Sequence, residues 1–352
     1  MTDRIENPWS NLTEYEGKYF AECDREALER FSRLKPAKSR IVDLEGNGQE
    51  LNEDIKLHLE LIPEPFIGNP ATAAFVFLSI NPGFSEEDEV AFKLYRDVVR
   101  ENFETENSRT MYWVDTDPTI TPQGANRTYV NAPRKYYFGN PKDLKSEAGS
   151  GGRLQLLLFM LSYKGSFEKL HTELQNERGM DPQDENYLKA VKDEVWKNRC
   201  PDQAREIVRN HVAVVDLFPY HSKKIGGLQD WMFSSEANEE QEKTGLGSRF
   251  FTKQMVEDAL DTDARILVSR GCDNWFSLVP ALIEHVESEK VFMLNSVENN
   301  TFTPNNVRKM LREDADTSSK RKWKKGNNDK ALFWDTVDHI FEAWNKSAMD
   351  SR

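Results

Sequence analysis

Apolar residues gather in short runs, each stopped by a polar residue and a turn. The first, AFVFLSI at residues 74–80, ends abruptly at Asn81-Pro82-Gly83. Its β-branched and aromatic content and its length predict a strand buried on both faces. Three more runs of this kind follow: HVAVVDLFPYH (211–221), whose strand ends at Asp216; ARILVSRG (264–271), which ends at a glycine turn; and KVFMLNS (290–296), which ends at Asn295-Ser296. Segments with helical spacing separate the later runs, SRFFTKQMVEDALD before the third and NWFSLVPALIEHVES before the fourth. Strands alternating with helices predict right-handed crossovers and a mainly parallel sheet with helices on both faces. The expected fold is therefore α/β: three layers, α/β/α, around a central four-stranded sheet.

The flanks read differently. Residues 1–70 are charged, and EYEGKYFAECDREALERFSRL carries apolar residues at helical spacing, so a helical N-terminal extension is expected. SEEDEVAFKLYRDVVRENF, after Gly83, predicts a helix with Ser85 as its N-cap. A stretch within residues 85–152 is rich in Pro, Gly, Asn and aromatics and reads as a large insertion of turns and short strands. RLQLLLFMLSYKG then predicts a buried helix, and residues 311–352 hold a basic segment and an amphipathic helix, KALFWDTVDHIFEAWNK. The main domain is expected over 71–310, with the tail packed on it.

Composition narrows the function classes. Of 352 residues, 30% are charged, and the formal net charge is −13. A uniformly basic nucleic-acid surface is excluded, but a local basic cleft on an acidic body is not. No apolar run approaches the roughly 18–20 residues of a membrane span, and MTDRIENPWSNL lacks the apolar core of a signal peptide. Cys23, Cys200 and Cys272 are far apart, with no CxxC pair, so neither a zinc nor an iron–sulfur site is suggested. A reducing cytoplasm is the expected compartment. No metal, no cofactor and no obligate protein partner is expected.

In a parallel α/β sheet the carboxyl ends of the strands share one edge, so Asn81, Asp216 and Asn295 with Ser296 are expected to converge on one crevice. The set holds no obvious nucleophile, and neither GxxxxGK[ST] nor GxGxxG occurs in the chain. What remains are hydrogen-bonding groups able to hold a planar polar ligand and a water, as recognition of a nucleic-acid base requires.

At these residues the chain resembles the uracil-DNA glycosylase superfamily. Ile80-Asn81-Pro82-Gly83 after a buried strand is similar to its motif A in the mismatch-specific uracil and thymine-DNA glycosylase branch. LNSVENNTFTP (294–304) sits where the family carries motif B, which enters the DNA minor groove, although the proline between its Asn and Ser is missing here. The resemblance implies that Asn81 holds the attacking water, that Asn295 stabilises charge or holds the sugar, and that position 216 reads the base. Uracil-specific members carry Asn there; this chain carries Asp216. An ionised Asp can only accept hydrogen bonds, so it suits the N4 amino group of cytosine better than O4 of uracil. The implied activity is that of a monofunctional DNA glycosylase acting on a flipped-out pyrimidine in duplex DNA. A modified cytosine, as in hypermodified phage DNA, fits best. A uracil or thymine-mismatch repair glycosylase and an inactive nucleic-acid-binding module are the alternatives.

Further contacts follow from position. Phe84 or, in the insertion, Tyr137 between Tyr136 and Phe138 is expected to stack on the base. The loop carrying Asn299, Asn300 and an apolar tip at Phe302 is expected to fill the gap left by the flipped nucleotide. Asn305 to Lys309 is expected to open a helix offering Arg308 and Lys309 to phosphate. In SKRKWKKG, Arg321, Lys322 and Lys324 are expected to grip the DNA backbone. His221 is expected to face the sugar or a phosphate.

Overall fold

A computed structural model describes residues 5–10, 12–32, 57–81, 176, 179–180, 210–222, 245–295, 302, 306–312 and 323–350. The helices expected after Gly83 and at residues 153–165, and the insertion, lie outside them. Elements are numbered in chain order. β1 (Leu12–Tyr15) and β2 (Lys18–Ala21) form a hairpin, followed by α1 (Arg25–Ser32). β3 (Phe66–Ile67), β4 (Phe75–Ser79) and β5 (Val212–Asp216) lead to α2 (Arg249–Leu260), β6 (Arg265–Val268), α3 (Cys272–Leu278) and β7 (Val291–Leu294). β8 (Val307–Arg312), β9 (Trp323–Asn328) and α4 (Lys330–Asp350) complete the order.

The strands form one seven-stranded sheet in the order β3-β5-β4-β6-β7-β8-β9. Its centre, β5-β4-β6-β7, is parallel throughout. These are the apolar runs of the sequence, and every residue of β4, β5 and β7 is buried. The sheet is wider than the expected four strands. β3 pairs antiparallel with β5 on one side, and β8 and β9 add antiparallel strands on the other. β3 precedes the boundary expected at 70/71 and β8 runs across the one expected at 310/311, so both flanks contribute to the sheet.

Side chains alternate between the two faces of the sheet. On one face Phe75, Phe77 and Phe292 meet Phe302, which packs on Phe333 of α4 with ring centroids 4.6 Å apart. On the other face Phe66, opposite Val215, meets Phe251 of α2 at 6.3 Å. Helices therefore cover both faces, and the mixed α/β layering follows.

Two local expectations are corrected. Residues 12–21 form a hairpin and not a helix, because Glu16 and Gly17 both take positive φ (48° and 73°), the signature of a tight two-residue turn that matches strand twist. Residues 307–312 form strand β8 and not a helix, because their backbone completes the open edge of β7.

Gly68, just after β3, combines φ of 72° with a Cβ position only 2.4 Å from the Val212 carbonyl oxygen. Gly68→Ala is expected to destabilise the protein by about 2–4 kcal/mol, through left-handed strain and a backbone clash. Urea denaturation should show a lower midpoint with an unchanged slope.

Candidate functional site

The chain passes from β4 outward to β5 and then crosses back to β6 on the other side of β4. This reversal makes a topological switch point at the carboxyl ends of β4 and β6, where open α/β sheets form a crevice. Asn81 leaves β4 two residues past its end. Three successive carbonyls hold the backbone leading to it. Leu78 O accepts from the amide and hydroxyl of Ser269, at 2.9 Å each. Ser79 O accepts from Leu217 N (3.2 Å) and from the indole of buried Trp275 (2.9 Å). Ile80 O accepts from Phe218 N at 2.9 Å.

The half-buried Asn81 side chain donates from Nδ2 to the Ser222 carbonyl at 2.8 Å. A carbonyl can only accept, so this bond fixes the amide's orientation and leaves Oδ1 as the acceptor. Asp216 is the register partner of Ser79, one strand over, and is buried at 1% exposure. Asn295 extends β7, with its amide bonded to Asn306 O at 2.9 Å. β7 is two strands from β4, roughly 10 Å away. The structure thus brings Asn81, Asp216 and Asn295 to one edge of the sheet.

Other expected contacts are placed elsewhere. His221 is turned inward, buried, with Nε2 donating to Ile62 O at 3.0 Å and Glu64 Oε1 3.6 Å away. It ties the segment before β3 to the loop after β5, so the expected phosphate contact is corrected. Phe302 is fully buried in the aromatic core, so it is no apolar tip for a wedge. Lys309 bridges Glu289 and Asp329, the latter at 2.8 Å, and the hydrogen bonds it donates to Asp329 and Glu289 hold its ammonium well above the usual lysine range. Its charge is already matched inside the protein.

The described part of the basic segment, with Lys324 and Lys325, lies at the wrong end of the sheet for the crevice. β8 starts beside the carboxyl end of β7, with Val307 opposite Leu294, and runs away from it. β9 returns, and Lys324 stands opposite Leu311. Four residues of strand place it about 13 Å below the level of Val307. Arg308, opposite Met293, stays near the crevice, and its buried Nε has no hydrogen-bond partner among the described residues. Phe84, Tyr137, Ser296, Asn299, Asn300, Arg321 and Lys322 lie outside the described residues.

Sequence reasoning missed Ser222, Ser269 and Trp275, which fix this edge, and it missed the buried Asp24 as well. Asp24 sits between β2 and α1, wholly buried, and accepts from Ser248 N (2.8 Å), Ser248 Oγ (2.7 Å) and the Tyr220 hydroxyl (2.7 Å). Nothing in FAECDREAL marks it as different from the exposed acids beside it. An open cavity of about 560 Å³ borders this N-terminal segment, lined by Ile5, Leu12, Glu22, Cys23 and Phe251 among others, and none of Asn81, Asp216 and Asn295 lines it. Among the described residues, no group of three or more His, Cys, Asp or Glu could hold a metal ion, and no helix is long and apolar enough to cross a membrane.

Comparison with protein-family models, with curated proteins and with solved structures finds no match for this chain.

Burial raises the Asp24 carboxyl above its ordinary 3.8, against the opposing hydrogen bonds from Ser248 and Tyr220. A raised folded-state value means that the native protein binds the proton more tightly than the unfolded chain. Stability from this group is therefore greatest at acid pH and falls as pH rises from the ordinary value through the raised one. Asp24→Asn removes the titration. Thermal unfolding across pH should show the variant gaining on the wild type as pH increases through that window.

Proposed function

We propose that this protein is a monofunctional DNA glycosylase that hydrolyses the N-glycosidic bond of a flipped-out pyrimidine, with a modified cytosine as the favoured base. The observation that carries this reading is Asn81, held at the switch point with Nδ2 tied to Ser222 O and Oδ1 left as an acceptor. A water donating one proton to Oδ1 can direct a lone pair at C1′ of a nucleotide in the crevice. A carboxamide is too weak a base to take that proton fully, so its role is orientation. The C1′–N bond breaks first in large part. The base leaves with the bonding electrons, the sugar becomes oxocarbenium-like, and water adds to C1′ while losing a proton to solvent. Asn295, about two strands away, is suited to the sugar or to charge growing on the base.

Asp216 is the group suited to selecting the base. Ionised, it accepts from a cytosine N4 amino group and opposes uracil O4 lone pair to lone pair. Mispairing a buried polar group costs a few kcal/mol, enough for about a hundredfold discrimination. Because Asp216 is buried, base entry must uncover it.

The test is base release from duplexes carrying uracil, a thymine mismatch, 5-hydroxymethylcytosine or its glucosylated form, read as abasic sites. The cytosine derivatives should be cut in preference to uracil. Asn81→Ala should lose on the order of a hundredfold in kcat, and Asp216→Asn should move the preference toward uracil. Unchanged activity in Asn81→Ala would remove the assignment of the water. Binding without release from any duplex would leave an inactive binding module.

The charge layout gives a second expectation. Arg308→Ala should weaken DNA binding and flatten its salt dependence by roughly one phosphate contact, whereas Lys324→Ala should change neither. Titrations by fluorescence anisotropy at several salt concentrations would tell them apart.

A further inference from the structure

The loop after β5 has no regular structure, yet it is tied at nearly every residue. Leu217 and Phe218 donate to the end of β4, Pro219 O accepts from Glu64 N at 2.8 Å, and His221 O accepts from His58 N at 2.9 Å. Ser222 O then receives Asn81 Nδ2. Tyr220 stands in the middle of this run. Its ring is buried edge-on to Trp9 (6.2 Å) and Phe218 (5.6 Å). Its hydroxyl donates to Asp24 Oδ2 at 2.7 Å and accepts from Ala21 N at 3.3 Å. The N-terminal segment thus reaches across the fold to hold the loop that aims Asn81.

We propose that Asp24, acting through the Tyr220 hydroxyl, is a positioning residue for Asn81. The proposal rests on the reading of Asn81 as the water-holding group. Only His221 separates Tyr220 from Ser222, so a displacement of the ring is passed along a short, pinned piece of backbone to the carbonyl that orients the Asn81 amide. Misplacing such a group by about 1 Å costs up to about a hundredfold in rate.

The geometry also supplies the control. Asp24 has two sets of partners that lead to different places. Tyr220 leads to the crevice. Ser248, which donates from both N and Oγ, leads into α2 and away from it. Tyr220→Phe and Ser248→Ala each remove one hydroxyl from the same buried carboxylate, so their stability losses should be alike.

Three quantities are measured on the full chain: Tm, the steady-state constants on the duplex that the wild type cuts best, and amide hydrogen exchange at Leu217 and Phe218. Tyr220→Phe should lower kcat on the order of tenfold with KM changed less than about twofold, and should speed exchange at both amides. Ser248→Ala should match its loss in Tm and leave kcat and exchange unchanged. Asp24→Asn should recover most of the kcat lost in Asp24→Ala, because a carboxamide N–H can donate to the tyrosine oxygen. Equal Tm losses with kcat and exchange unaltered in both hydroxyl variants would overturn the proposal. If the wild type releases no base at all, the glycosylase reading falls, and exchange alone decides: faster exchange in Tyr220→Phe only keeps the positioning role of Asp24, and equal exchange ends it.

Discussion

The carboxyl end of β4 is clamped from both sides, and the rest of the structure is arranged around that constraint. Leu78 O is taken by Ser269 from the β6 side, Ile80 O by Phe218 from the β5 side, and Ser79 O by both Leu217 and the Trp275 indole. A strand interior needs only one ladder bond per carbonyl. Here the double bonding carries the clamp past the last paired residues, so that the chain reaches Asn81 with little freedom left. Buried backbone groups must be paired, and pairing these by groups from β5, β6 and α3 locks three elements to one point. The crevice edge is thus set by the sheet and its helices together.

The N-terminal segment belongs to the same arrangement. Its hairpin and α1 are joined by a turn that buries Asp24, and that carboxylate collects donors from Tyr220 and Ser248, residues about two hundred positions away. These donors are all neutral. A buried carboxylate held by neutral donors gives directional bonds, and so specifies how the segment docks, more than it gives net stability. Trp9 adds apolar contact by packing against the Tyr220 ring.

What the sequence made legible follows from how strongly each signal is driven. The central strands are buried on both faces, so their apolar runs are nearly continuous. β4 and β5 were bounded to within a few residues, and their polar ends, Asn81 and Asp216, do share an edge. The hairpin was hidden because Tyr15, Tyr19, Phe20 and Cys23 also fit a helical period, and only Glu16-Gly17 argued otherwise. β8 and β9 were hidden because strands at the margin of the sheet, β9 at its edge and β8 beside it, are half exposed. VRKMLR and WKKGNN bury only two residues each and take their order from pairing with neighbours. The misplacement of Lys324 has the same origin: a basic run shows charge, while the end of the sheet it occupies is fixed only when β8 reverses direction.

Much of the positive charge near the folded core is engaged internally. Arg25 is paired with Glu22, Lys309 with Glu289 and Asp329, and the ammonium of Lys290 caps the carbonyls of Leu260 and Thr262. Arg249 is buried against Leu246 O and the Phe250 ring. Lys324 and Lys325 are exposed on an edge strand, where lysines also discourage pairing with another sheet. On a body of net charge −13, attraction of a polyanion to the crevice depends on local basic groups, and Lys309 near it is already paired. If the site acts on DNA, its described part must hold the strand through few phosphate contacts, Arg308 first among them. Selectivity would then rest on the buried groups at the strand ends, where low dielectric makes one wrong hydrogen bond costly.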